Sequence, residues 1–155
     1  MDLNNADISK SVGAEVFDAK LIGLKWITPQ YPNNPIEEIS NLKKAIEIIK
    51  NDTSKKIIVT DYQFISVILS TYDNSPNKVW YSFHVYPTKN DAYFDLYQNF
   101  FKEKIKDLNI QTVYTVKPLY GDDDVLKDIL PNECREKVFL TNILEKQIIK
   151  KKCIE

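Results

Sequence analysis

Residues 57–60 read Ile57-Ile58-Val59-Thr60, and this short uninterrupted apolar run decides the fold. A strand with no polar alternation offers no face to water, so it is buried on both sides, as strands of a helix-covered parallel sheet are. It is expected to be the central strand of such a sheet. Just upstream, Asn34-Pro35-Ile36-Glu37 opens a helix: Asn34 caps, Pro35 suits the first helical position, and Glu37 stands where a capping-box acid would. Ile36, Ile39, Leu42, Ile46 and Ile49 recur at helical spacing and make one apolar face, which Asn51-Asp52-Thr53-Ser54 terminates.

Working outward from that pair, the elements continue to alternate. Tyr62 to Leu69 reads as a short helix, Ser75-Pro76-Asn77 as a turn, and Val79-Trp80-Tyr81-Ser82-Phe83 as a strand. Thr88 or Asn90 caps a long helix whose Tyr93, Tyr97, Phe100, Phe101, Ile105 and Leu108 form an aromatic-rich stripe, the usual mark of a core face. Thr112 to Val116 is the next strand, Asp123 or Asp124 starts a helix that Pro131 ends, Val138-Phe139-Leu140 is a strand, and Gln147-Ile148-Ile149 adds an edge strand. Such alternation favours βαβ units with helices on both faces. The expected fold class is therefore α/β, a Rossmann-like three-layer α/β/α sandwich with a mostly parallel sheet. Residues 1–33 read as an N-terminal arm and Pro-rich connector packed on a single α/β domain spanning 34–155.

The chain has 155 residues and a net charge of −1, which suits one domain and supplies no global field to attract nucleic acid. The locally basic stretch from Lys146 to Lys152 reads as a solvated strand or tail. No run of about eighteen apolar residues is present, and the polar start Asp2-Leu3-Asn4-Asn5 is not a signal peptide. Met1 fits a native start and equally a domain cut from a longer chain. Cys134 and Cys153 lack the spacing of a zinc ribbon or a redox CxxC pair. In an oxidising compartment they could close a short loop, worth about 3 kcal/mol; in the cytosol they would be two thiols.

Ligands in open α/β sheets bind beyond the carboxyl ends of the strands. Asp61, His84, Lys117 and Asp122 fall there, with Tyr62, Gln63 and Tyr86 beside them, so these seven are the candidate ligand-binding residues. Each has a simpler reading. Asp61 is suited to cap the following helix, and His84, the only histidine, has no Ser-His-Asp pattern around it and reads more readily as a packed or loop residue. Gly121-Asp122-Asp123-Asp124 contains an Asp-x-Asp pair of the kind that holds a divalent metal against a diphosphate, yet acids before a helix also complement its dipole. The three glycines, Gly13, Gly23 and Gly121, form no phosphate loop, so no cofactor and no catalytic residue is assigned. Trp26, Trp80 and Tyr81 could stack on sugars or bases, but packing accounts for them more simply. Asn51-Asp52-Thr53 matches an N-glycosylation sequon.

Trp26-Ile27-Thr28-Pro29-Gln30-Tyr31-Pro32, Thr60-Asp61-Tyr62-Gln63-Phe64, Ser75-Pro76-Asn77 and Trp80-Tyr81 together resemble the soluble C-terminal part of polytopic membrane glycosyltransferases of the dolichyl-phosphate-mannose protein mannosyltransferase type. The resemblance runs from about Leu21 onward. It implies an extracytoplasmic domain attached to a membrane bundle that moves a sugar from a polyprenyl-phosphate carrier, with the catalytic acid in a loop of that membrane part. It further implies that Cys134 and Cys153 are bridged, that Leu21 to Ile27 lies near the membrane surface, and that the partner is the membrane-embedded part of the same parent protein or another protein, with a glycan or small molecule as ligand and no nucleic acid. The function expected on this basis is that of a non-catalytic accessory domain. The alternative is a stand-alone, cytoplasmic α/β enzyme or ligand-binding domain with a crevice near Asp61, His84 and Lys117.

Overall fold

A computed structural model describes residues 7–62, 64–70, 87, 89–117, 124 and 126–153. The chain divides into two compact units, Met1–Ile48 and Ile49–Glu155.

In the first unit, strands β1 (Val12–Gly13) and β2 (Lys25–Trp26) pair antiparallel, Val12 opposite Trp26. The turn before β2 needs Gly23, whose φ of 87° an L side chain rarely adopts. Phe17 stacks on Trp26 with ring centroids 5.6 Å apart. Helix α1 (Pro35–Asn51) starts in this unit and crosses the boundary. Its cap follows from its sequence: Asn34 Oδ1 accepts the Glu37 amide at 3.2 Å, and the Asn34 side-chain amide donates back to Glu37 Oε2 at 2.9 Å. Glu38, one turn in and only 1 % exposed, accepts the Trp26 indole N–H at 2.7 Å and the Thr28 hydroxyl at 2.9 Å. The arm is thus tied to the first turn of α1 by a buried carboxylate whose two oxygens are both used. The buried stripe of α1 is Ile39, Leu42, Ala45 and Ile49, whereas Ile36, expected to share it, is 61 % exposed.

The second unit holds strands β3 (Lys56–Thr60), β4 (Thr112–Val116), β5 (Arg135–Phe139) and β6 (Leu144–Ile149), with helices α2 (Phe64–Ile68) and α3 (Phe94–Asp107) between β3 and β4. The sheet order is β3-β4-β6-β5. Only β3 and β4 run parallel, Lys56 opposite Thr112; β4 with β6 and β6 with β5 are antiparallel. The expectation of a Rossmann-like three-layer α/β/α sandwich with a mostly parallel sheet is therefore overturned: the four-stranded sheet is mixed and the arm adds a separate two-stranded one. The physical reason is connection length. β5 and β6 are joined by residues 140–143 alone, far short of the dozen or more residues a parallel crossover needs. Thr141 closes this link, its hydroxyl accepting the amides of Ile143 at 3.3 Å and Leu144 at 3.0 Å. Two further corrections follow. Among the described strands β3 ends the sheet order instead of sitting at its centre, and the segment read as an edge strand, Gln147–Ile149, belongs to β6, which lies between β4 and β5.

Pleating places Ile57, Val59, Val113, Thr115, Glu145, Gln147 and Ile149 on one face. On its apolar half, Ile57, Val59, Val113 and Ile149 pack with Phe101 and Ile105 of α3 and with Leu126, Ile129 and Leu130. Each such side chain contributes about 2 kcal/mol on burial. The α3 stripe is Phe94, Tyr97, Phe101, Ile105 and Leu108; Tyr93 and Phe100, read into it, are 70 % and 42 % exposed. The helix starts at Phe94 with Tyr93 as its N-cap and no side-chain cap bond, so Asn90 does not open it, and Thr88 lies outside the described residues. Its other end is a Schellman closure: Asn109, at φ 50°, donates to Lys106 O at 3.0 Å and Ile110 to Ile105 O at 2.8 Å, while Ile105 and Ile110 both enter the core. Residues 126–129, expected as a helix, form a hydrogen-bonded turn. The strand expected at Val79–Phe83 lies outside the described residues.

Candidate functional site

The other half of the same sheet face is polar and buried. Glu145, Gln147 and Thr115 are each 0 % exposed, and they project from neighbouring strands with Thr115 directly opposite Glu145 and Val113 opposite Gln147. The hairpin brings up the alternate residues of β5 on this side, so Lys137 faces Gln147 and Phe139 faces Glu145. Charges come to this face because Arg135 and Lys137 of β5 and Glu145 of β6 fall on it, brought into register once the short link folds back.

Glu145 is the centre of the cluster. Its Oε1 accepts Gln147 Nε2 at 2.9 Å and lies 3.1 Å from Lys137 Nζ. Oε2 lies 3.9 Å from Lys117 Nζ, an ion pair but beyond hydrogen-bond reach, and has no hydrogen-bond donor among the described residues. The Thr115 hydroxyl and Arg135 Nε are likewise buried without a hydrogen-bond partner among the described residues. Asp124 Oδ1 accepts from Arg135 Nη1 and, at 3.0 Å, from Gln147 Nε2, with Lys137 Nζ 3.5 Å from its second oxygen. Burial pushes the Asp124 carboxyl up, but the Arg135 and Gln147 hydrogen bonds and the two nearby cations outweigh it and hold the group below its ordinary value. Lys117 and Lys137 both lie over the ring of Phe139, 5.7 and 5.4 Å from its centroid, and that ring is 67 % exposed.

Of the seven candidate residues, Gln63, His84, Tyr86 and Asp122 lie outside the described residues. Asp61 and Lys117 directly follow Thr60 and Val116, which are paired, so both stand at the carboxyl end of the parallel pair. Lys117 is directed to Glu145. At the Asp61 corner, the side chain that accepts the Tyr62 amide is Thr60, at 3.0 Å, and the Tyr62 ring meets Phe64 edge-on at 6.0 Å. Among the described residues no cluster of His, Cys, Asp or Glu could hold a metal ion, and Asp124 is surrounded by cationic partners. Sequence reasoning missed Glu145, Gln147, Thr115, Arg135 and Lys137. The signal available was the short Thr141-Asn142 link, which places Arg135, Lys137 and Phe139 beside Glu145 and Gln147 once it is read as a hairpin.

On the opposite face a second polar group is fully paired. Asp52 Oδ2 accepts the Tyr114 hydroxyl at 2.5 Å and Lys146 Nζ at 2.8 Å, while Oδ1 accepts the Ser54 amide at 2.8 Å. Burial opposes ionisation of Asp52, but Lys146, Tyr114 and Ser54 outweigh it and hold its carboxyl well below 3.8. Burial first, and then the Asp52 charge, push the Tyr114 phenol well above its ordinary value.

Cys134 and Cys153 are joined by a disulfide, with Cα atoms 5.7 Å apart. The bridge lines a groove of about 450 Å³ together with Leu130, Pro131, Lys102, Lys106 and Lys152.

Comparison with known proteins gives no matching family model, no matching curated protein and no matching solved structure.

Proposed function

We propose that this chain is a non-catalytic accessory domain of a membrane glycosyltransferase, standing on the extracytoplasmic face of the membrane, where it supports the membrane-embedded part or positions the acceptor. The observation that carries the reading is the Cys134–Cys153 disulfide. Glutathione and thioredoxin keep such pairs reduced in most cytosols, so a structural disulfide favours an oxidising compartment. The resemblance of the strings around Trp26, Thr60 and Trp80 to the soluble part of dolichyl-phosphate-mannose-type mannosyltransferases supplies the association and leaves catalysis to the membrane part. No helix among the described residues is long and apolar enough to cross a membrane, so attachment would depend on other segments.

The test is the redox state in the native cell. Free thiols are alkylated during lysis, and the peptides holding Cys134 and Cys153 are mapped by mass spectrometry without reduction. The proposal expects them linked; alkylation of both cysteines would place the chain in a reducing compartment and overturn it.

A second reading, an independent α/β ligand-binding domain with its crevice at the carboxyl end of β3 and β4, is favoured by the common location of Asp61 and Lys117. It expects Asp61→Ala to abolish a ligand-induced thermal shift.

A further inference from the structure

We infer that the groove lined by the Cys134–Cys153 disulfide binds an amphipathic anion, an alkyl or acyl chain ending in a carboxylate or phosphate. The assignment goes beyond the accessory reading and does not rest on it, because the lining of the groove alone carries it.

Three separate pieces of chain build the groove. Helix α3 supplies Lys102, Ile105 and Lys106, the segment ending at Cys134 supplies Leu130 and Pro131, and the C-terminal turn Lys151–Cys153 supplies Lys152. Lys102 and Lys106 stand four residues apart, so they project from one side of the helix. The disulfide fixes the C-terminal turn to the segment before β5, and the Cys153 amide donates to Lys150 O at 2.9 Å. Lys152 is thereby held at the same groove as the two lysines of α3.

Two features of the lining choose the ligand. Among the described residues every charged side chain that lines the groove is a lysine, although the chain as a whole carries −1. Like charges gathered without a counterion repel one another, and an entering anion relieves that repulsion. Lys102 and Lys152 are exposed and make no ion pair among the described residues. The remaining lining side chains are apolar: Ile105, Ile129 and Leu130 belong to the core, and the disulfide adds a polarisable apolar surface. A hydrocarbon chain gains affinity with each methylene it moves from water onto such a lining. An inorganic anion would satisfy the lysines and leave the apolar lining wet, and a cationic hydrocarbon would meet three like charges. The volume of about 450 Å³ lies in the range of small-molecule sites, roughly 300–1,000 Å³, so it suits one chain with its head group.

The test is an amide NMR titration of the full chain with sodium octanoate and with octyl phosphate, each below its micellar concentration. Sodium acetate, inorganic phosphate and octyltrimethylammonium chloride are the control arms. The inference expects saturable shifts from an octyl anion at Ile105, Lys106, Leu130, Lys152 and Cys153, with a dissociation constant in the millimolar range, and no saturation from the controls. The double variant Lys102→Gln with Lys152→Gln, altered only at exposed positions, weakens binding by about tenfold. Absence of saturable shifts with both octyl anions would overturn the site. So would binding of acetate, inorganic phosphate or the octyl cation as tight as that of the octyl anions, or an unchanged dissociation constant in the double variant.

Discussion

Asn109 shows how one backbone angle fixes a helix end. At φ 50° it occupies the left-handed region, which suits Gly and Asn and penalises β-branched residues. Asn109→Val is expected to cost about 1–2 kcal/mol, whereas Asn109→Gly stays close to neutral; urea midpoints of the two variants check this. The Asp52–Tyr114 pair predicts pH limits of opposite sign. Asp52 has a depressed folded-state pKa, so its contribution is present above the ordinary carboxylate value of 3.8 and is lost as pH falls toward the folded value. Tyr114 has a raised one, so its contribution is present below the ordinary phenol value of 10.0 and is lost as pH rises above it. Urea unfolding across pH should show Asp52→Asn weakening the acid dependence and Tyr114→Phe weakening the alkaline dependence. No change in either slope would remove the pair from the account.

Among the elements, those governed by local chemistry were legible in the sequence. β4 occupies the expected residues Thr112–Val116, and the Asn34 cap and Pro35 start of α1 lie where the sequence puts them. Elements governed by partners were not. A continuous apolar run such as Ile57–Thr60 reports burial on both faces, which in this molecule coexists with a place at the end of the described sheet order. In β6 the usual inside-outside rule inverts on the side chains themselves: Glu145 and Gln147 are fully buried while Ile148 is 37 % exposed. No periodicity argument finds that, because the burial of Glu145 depends on Lys117, just past the end of β4, and on Lys137 of β5. The arm carries a similar partner-dependent device in Glu38. Glu38→Ala removes the acceptor of the Trp26 indole N–H and the Thr28 hydroxyl, and a loss of about 1–3 kcal/mol is expected. Tryptophan fluorescence followed through urea unfolding measures it, and an unchanged midpoint would mean that the carboxylate does not hold the arm.

For the whole molecule, the disulfide joins structure to location. It ties the residue before β5 to the turn after β6 across 19 positions, so reduction frees the C-terminal end from the hairpin. Dithiothreitol, or the Cys134→Ala and Cys153→Ala double variant, should lower stability by about 3 kcal/mol; thermal unfolding with and without reductant checks it, and coincident curves would make the bridge structurally idle. Such a bond suits a domain that works outside the cytosol, and the accessory reading places the chemistry of the parent elsewhere. The most direct measurement is an immunoblot of native cells, separated into membrane and soluble fractions, with an antibody against this chain. The account predicts a membrane-bound polypeptide larger than these 155 residues and open to protease from the extracytoplasmic side. A soluble cytoplasmic band at the mass of the 155 residues alone would contradict it.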